Sequence, residues 1–395
     1  MSEKTLTSAI SRSSGREGMS RLRVLQVITH LALGGAERVV FNLMRGLRNR
    51  FEFAVYAANG IDPAMFGQSM KSELAEMNVP LHLGTSVPIK RGGMLLAWWW
   101  FARTVEQFQP DVIHLHTEIP ESSYAMMVAM LPSLRRIPLA RTIHNTIYWE
   151  AWRKLGVWCD RKMPRSFVAS VSVGAKEAFE QLRAESGAGP LPVRPLIIFN
   201  GVCVNSDPRA IGQRPAQPMR ILFAGRFEVQ KGADLLPMIV HQVKPGAGGS
   251  VELVIHGSGS HEADLRQLAA TAPAGWSIQV KGPVPDLTAR LPQFDMLIMP
   301  SRYEGLGLLA IEAAMLNVPV IATDGPGIRE AFPRDYPWLA KAGDARSFGM
   351  LLQKAIDRPE LLTPAVEQAR AYTERQFELS AMCNAYAKLY EDAMK

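Results

Sequence analysis

Glu304 and Glu312, separated by seven residues, flank a stretch suited to meeting an anion. The segment Ser301-Arg-Tyr-Glu304-Gly305-Leu306-Gly307-Leu308-Leu-Ala-Ile-Glu312 leaves an apolar run, turns through two glycines and enters a helix. Free N–H groups at a helix start and the positive end of its dipole attract phosphate. Gly305, Leu306, Gly307 and Leu308 would offer those amides. At 1.5 Å per helical residue the two carboxylates could stand up to about 12 Å apart. That suits one holding a sugar and the other a ribose, with a diphosphate between them. A second loop, Gly225-Arg226-Phe-Glu-Val-Gln-Lys231-Gly232, brings a guanidinium and an ammonium to the end of another strand and to what reads as a helix start. Arg grips phosphate oxygens as a fork and Lys as a point charge. Positive charge set against a helix dipole costs stability and so points to an anionic ligand. The chemistry of this set is stabilisation of a departing diphosphate.

Such groups need strands that end where they stand, because ligands collect at the carboxyl ends of open parallel sheets. Apolar strand-like runs alternate with amphipathic helical stretches along the chain, the pattern of βαβ units. Strands are expected at Leu22–Thr29, Phe51–Ala57, Asp111–His116, Leu139–Ile143, Phe167–Val173 and Leu196–Phe199. A second set is expected at Ile221–Ala224, Val251–Ile255, Ser277–Val280, Met296–Met299 and Val320–Ala322. Between them lies a polar segment, 205–218, with three prolines, which reads as a linker. The implied plan is a tail at 1–20, a Rossmann-like domain at 21–204, the linker, and a second Rossmann-like domain at 219–374. Two such domains would face each other across a ligand-holding cleft.

Further motifs fall in order along this plan. Gly34-Gly35-Ala-Glu37-Arg38 precedes a helix, Thr142-Ile-His144-Asn145 ends a strand, and Phe199-Asn200-Gly201-Val202 precedes the linker. Val254-Ile-His-Gly257-Ser-Gly259 closes a strand of the second half, and Asp324-Gly-Pro-Gly327-Ile-Arg-Glu330 follows the last. Together with strand-Gly-Arg, Lys-Gly and Glu-x7-Glu, these resemble the retaining GT-B glycosyltransferases of family 4, from about residue 21 onward. The resemblance implies a two-domain α/β fold and transfer of a sugar from a UDP- or GDP-linked donor to an acceptor hydroxyl, without a resident cofactor. It implies that Arg226, Lys231 and the Gly305–Leu308 amides hold the diphosphate, Glu304 the donor sugar and Glu312 the ribose. It also implies that His144 orients the donor sugar, and that Gly34, Gly35, Asn200, Gly257 and Gly259 line the nucleotide-sugar site. The family's terminal helix crosses back onto the first domain, here at about 375–395. Domain closure would exclude water, and no enzymic nucleophile is implied, so the acceptor would attack from the leaving-group face.

The residues exclude some other readings. Gly34-Gly35 lacks the Gly-x-Gly-x-x-Gly of a dinucleotide site. No Asp-x-Asp occurs, so Lys and Arg would stand in for a metal; His114 and His116 share a strand face without a third ligand at metal spacing. An epimerase or a phosphorylase on the same architecture, and a nucleotide-sugar-binding subunit without turnover, are the rival readings.

Composition bounds the setting. The chain has 395 residues, 47% hydrophobic and 21% charged, in the range of a globular protein of two domains. Its longest apolar run, Met94–Ala102, has nine residues, short of the ~20 that span a bilayer. Residues 1–20 lack the apolar core of a secretory signal, and Met19 could serve as a start. Cys159, Cys203 and Cys383 read as buried, reduced thiols of a cytoplasmic protein. The net charge of +7 comes wholly from the first half, where residues 1–205 hold 24 Lys and Arg against 16 Asp and Glu. Basic residues are densest at 135–165, interleaved with Tyr148, Trp149, Trp152 and Trp158, while Trp98-Trp99-Trp100 wraps a helix. Basic residues with tryptophan suit an anionic membrane face. The expectation is a peripheral protein acting on a lipid-linked saccharide in surface polysaccharide assembly, with no nucleic-acid partner.

Overall fold

The computed structural model describes residues 21–32, 34–62, 65–85, 87, 93–212, 218–246 and 249–395. The expected tail at 1–20 and residues 213–217 of the expected linker lie outside them. The chain divides into two units. One runs to Gly201 and takes up Leu379–Lys395; the other is Val202–Glu378.

The first unit is built on a seven-stranded parallel sheet. In chain order its strands are β1 (Leu22–Ile28), β2 (Phe51–Ala57), β3 (Leu81–Leu83), β4 (Val112–His116), β5 (Leu139–Ile143), β6 (Ser166–Ser170) and β7 (Leu196–Ile197). Spatially they run β3-β2-β1-β4-β5-β6-β7. The chain therefore steps one way from β1 and returns to its other side at β4, which makes β1/β4 the switch point. The second unit has six parallel strands in the order β10-β9-β8-β11-β12-β13. These are β8 (Met219–Ala224), β9 (Val251–His256), β10 (Trp276–Lys281), β11 (Met296–Met299), β12 (Val320–Thr323) and β13 (Leu339–Ala340), so its switch point is β8/β11.

Central strands such as Val24–Ile28, apolar but for Gln26, and Met296–Met299 are buried on both faces, as parallel sheets covered by helices require. The expected strands are present, with two adjustments. Phe167–Val173 closes at Ser170, because the Ser172 hydroxyl accepts from Ala175 N at 3.1 Å and caps the helix Val173–Ser186. Leu196–Phe199 keeps only two strand residues. β3 and β13 were not foreseen, being three and two residues long at the edges of their sheets.

The helix Leu379–Ala393 belongs to the first unit. Its Met382, Cys383, Tyr386 and Tyr390 enter the hydrophobic core beside Val39, Leu43 and Met44 of the helix Gly35–Leu47. A Cβ on Gly46 would stand 2.4 Å from Cys383 Sγ, so glycine sets how closely these helices pack. The described part of the presumed linker, 205–212, is bound to the second unit. Arg209 donates to Phe294 O at 2.8 Å and to Asp295 at 2.5 Å, while Asn317 Nδ2 donates to Arg209 O at 2.7 Å. Cys159 and Cys383 are buried; Cys203 is exposed instead, its thiol beside Asn205 Oδ1 at 3.4 Å.

Candidate active site

At the β8/β11 switch point two loops leave adjacent strands and are laced together. Gly232 (φ 70°) passes so close to Pro300 that a Cβ would stand 2.1 Å from its carbonyl oxygen. Arg302 N donates to Gln230 O at 2.8 Å, and the Arg302 guanidinium grips both Asp234 oxygens at 2.7 and 2.8 Å. Within this frame Lys231 Nζ donates to both oxygens of Glu304, at 2.6 and 2.7 Å. Ser301 Oγ adds a 2.9 Å bond to Glu304 Oε1, and the Glu304 N–H donates to Pro326 O at 2.9 Å. Glu304 is buried and Lys231 about one-fifth exposed, so the pair sits where Coulomb attraction is only partly screened.

Glu312 lies on the helix Leu308–Met315, with Gly307 (φ 63°) in the left-handed conformation at its start. Its carboxylate is buried and accepts from Thr288 Oγ1 at 2.9 Å. Leu306 points into the core, while Gly305 and Leu308 remain half-buried. Arg226 is exposed, its guanidinium donating to Gln230 Oε1. The expectation of a helix start at Arg226–Lys231 is corrected. Lys231 closes a 3-10 turn, Val229–Lys231, and the α-helix begins only at Leu236 because Gly232 interrupts the turn in the left-handed region. The opposed-dipole argument therefore does not apply; the ion pair with Glu304 fixes Lys231. The supporting residues Ser301 and Thr288 were missed. Only the spacing of Ser301 from Glu304, three residues on, was there to be read.

Gly257 and Gly259 have φ of 152° and 153°. A Cβ on Gly257 would lie 1.9 Å from Gly225 O, and one on Gly259 2.7 Å from Phe227 O. Their lack of side chains lets the β9 loop close against the β8 loop, a packing reason that applies before any ligand is considered.

In the first unit the β1/β4 switch point combines hydroxyl and imidazole groups with the carboxyls of Glu37 and Glu118. Gly34, with extended backbone, precedes the helix that opens at Gly35, and the Glu37 carboxylate folds back over it. Burial pushes the Glu37 carboxyl up to about 7, against its own backbone N–H, which pulls it down. Thr117 takes φ 73° and ψ 175°, a region almost reserved for glycine, and its hydroxyl meets Thr29 Oγ1 at 2.8 Å. Asn145 Nδ2 donates to Glu118 Oε1 at 3.3 Å.

His144 is buried beyond β5, and its Nε2 lies 2.9 Å from His116 Nδ1. Burial lowers His144 to about 3 and holds His114 and His116 well below their ordinary value. His114 and His116 are taken up by hydrogen bonds, to Tyr390 and Thr142 and to His144 and Gln26. Asn200 is buried with no partner for Oδ1 among the described residues, and Gly201 N contacts Met382 Sδ at 3.0 Å. The proposed residues thus fall into two sets. Arg226, Lys231, Gly257, Gly259, Glu304, Gly305, Leu306, Gly307, Leu308 and Glu312 belong to the second unit; Gly34, Gly35, His144 and Asn200 belong to the first.

The basic stretch 135–165 is not the continuous surface that was expected. Arg141 is fully buried, donating to Glu121 at 3.0 Å and to Asp160 at 2.8 Å, with Tyr148 and the Trp149 indole N–H also on Glu121. A guanidinium in a parallel strand needs such partners, and they drew the aromatic rings inward with it. Trp152 stays exposed, and so do Trp99 and Trp100 of the helix Gly93–Phe108, whose Arg103 lies over the Trp99 ring at 5.4 Å. No described helix is long and apolar enough to cross a membrane.

Two family models match the chain in succession. Residues 33–202 match Glycosyltransferase Family 4, and residues 206–372 match Glycosyl transferases group 1. A glycogen synthase of Mycobacterium tuberculosis is 26% identical over 316 residues, covering 73% of this chain and 70% of that protein. The amylovoran biosynthesis glycosyltransferase AmsK of Erwinia amylovora is 27% identical over 184 residues, covering 44% of this chain and 45% of its own. Among solved structures, Anabaena Alr3699/HepE in complex with UDP and glucose superposes with a TM-score of 0.74 at 18% identity, over 94% of this chain and 100% of that one.

Proposed function

Because this chain belongs to the group 1, family 4 glycosyltransferases and takes the GT-B fold, we propose that it moves a sugar from a nucleoside diphosphate donor to an acceptor hydroxyl with retention at the anomeric carbon. The observation that carries this reading is the Lys231–Glu304 pair at the β8/β11 switch point, a cation and a carboxylate supplied by the loops of adjacent strands. An incoming diphosphate competes for Lys231. As the ammonium turns to the phosphate oxygens and Arg226 joins it, Glu304 is released toward donor-sugar hydroxyls while Ser301 keeps it in place. Glu312, held by Thr288, accepts from the ribose. The amides of Gly305 to Leu308 meet the phosphates, and negative charge growing on the leaving oxygen as the glycosidic bond breaks is stabilised by the cations. The acceptor hydroxyl attacks from the same face and passes its proton to the departing phosphate. His144 orients the sugar.

UDP is the nucleotide to test first, since HepE binds it; GDP is the alternative. A role in polysaccharide assembly draws support from the Erwinia relative. For a lipid-linked acceptor at the cytoplasmic membrane face, support comes from the exposed rings of Trp99 and Trp100 and from the basic first half. Calorimetry with UDP and GDP on wild type and Glu312→Ala tests the donor site; equal affinity in the two proteins would reject Glu312 as the ribose ligand. The anomeric configuration of the product, read by NMR, tests retention.

A further inference from the structure

A buried hydrogen-bond chain runs from His144 through the middle of the first sheet to the helix Leu379–Ala393. His144 Nε2 meets His116 Nδ1 at 2.9 Å, and His116 Nε2 meets Gln26 Oε1 at 2.8 Å. Gln26 Nε2 donates to Tyr390 OH at 3.0 Å, which meets His114 Nδ1 at 2.8 Å. His114 Nε2 then meets Thr142 Oγ1 at 2.7 Å, and Thr142 meets Tyr386 OH at 2.9 Å. Gln26, His114 and His116 have no exposed surface.

Burial keeps the three imidazoles neutral, so each has one N–H and one lone pair. An amide oxygen can only accept, so His116 must carry its proton on Nε2 and leave Nδ1 bare. A bare His116 Nδ1 can only accept, so His144 must carry its proton on Nε2. His144 Nδ1 is then left with a lone pair, and it has no hydrogen-bond partner among the described residues, while the side chain keeps 8% exposure. We propose that Gln26 is a positioning residue that fixes His144 as the Nε2–H tautomer, so that His144 presents Nδ1 to its ligand as an acceptor for a hydroxyl proton. The ligand identity rests on the donor-sugar role given to His144 above; the tautomer does not. A histidine so held accepts from a sugar hydroxyl and cannot donate to a sugar oxygen, which selects donors with a hydroxyl at that position. Turning the Gln26 amide about would reverse every link and place the proton on His144 Nδ1.

Long-range proton–nitrogen NMR of the full chain with 15N-histidine, the His144 signals being identified with His144→Gln, separates the two arrangements. Wild type should show a bare Nδ1 and a protonated Nε2 at His144; protonated Nδ1 overturns the proposal. Gln26→Met should abolish the single tautomer and lower kcat about tenfold with little change in donor KM; a retained tautomer overturns it. Tyr390→Phe leaves the Gln26–His116 bond and should keep the tautomer, so its loss there would transfer control to Tyr390 and refute Gln26. Should Gln26→Met fail to fold, the wild-type and Tyr390→Phe spectra still decide. UDP calorimetry on the same samples reads the donor site separately.

Discussion

The two switch points have the same topology and opposite chemistry. At β8/β11 the loops bring together an exposed Arg226, a partly exposed Lys231 and a buried Glu304, charged groups held in place by glycine turns. At β1/β4 the strands themselves carry Gln26, His114 and His116, buried and hydrogen-bonded through His116 to His144 beyond β5, beside a Thr117 held in a costly backbone conformation. A diphosphate needs mobile cations that can change partner, whereas a sugar hydroxyl needs one fixed donor or acceptor. The contrast shows that one parallel-sheet plan supplies the place, and the residues set on its strands or on the loops that follow them supply the chemistry.

Breaking the charged side should cost most. Lys231→Met should lower kcat/KM for the donor about 10²–10³-fold, the usual loss when one charge-stabilising donor is removed; initial rates over a donor series check it. Next comes the packing beneath it. Gly257→Ala drives a Cβ onto Gly225 O at a positive φ and should destabilise the second unit by about 2 kcal/mol, read from denaturant unfolding.

The neutral side predicts a pH dependence of opposite origin. His144 titrates at about 3 in the fold and near 6.5 when unfolded, so the unfolded chain binds the extra proton. Stability is therefore full above pH 6.5 and falls as pH drops toward 3, approaching about 1.4 kcal/mol per unit for each such histidine. Urea midpoints across that window, with His144→Gln showing a shallower decline, sharpen the point. Thr117→Gly should raise stability by about 1 kcal/mol by relieving strain, visible as a higher Tm. The smallest effect should be at the surface, where replacing Trp99 and Trp100 with Ser should weaken binding to anionic liposomes about threefold while leaving turnover on a soluble acceptor unchanged.

Much of this was legible beforehand, for identifiable reasons. Buried parallel strands such as β8 and β11 announce themselves as apolar runs, closed by Gly225 in the first and Pro300 in the second, and the residues just after them are the candidates for chemistry. β3 and β13 offered too few residues for any pattern. The charge on Arg141 suggested a surface, but its partners, Glu121, Tyr148, Asp160 and Ser166, are far apart in the sequence and gather only in the fold. The same holds for Thr288 beneath Glu312, twenty-four residues away. His144 could be singled out by its place at a strand end, but not the chain behind it, whose members Gln26 and Tyr390 are 364 residues apart.

That separation bears on how the protein is made. Residues 379–395 complete the first unit yet are synthesised after all of Val202–Glu378. A nascent chain would present a first sheet with Gln26 and His114 unpartnered at Tyr390, and an apolar flank open beside Val39 and Met44, while every residue of the second unit has already been synthesised. The ribosome thus delivers the earlier half's last structural component only after the whole second unit, and loss of the chain from Tyr390 onward would strike the histidines rather than the nearby surface.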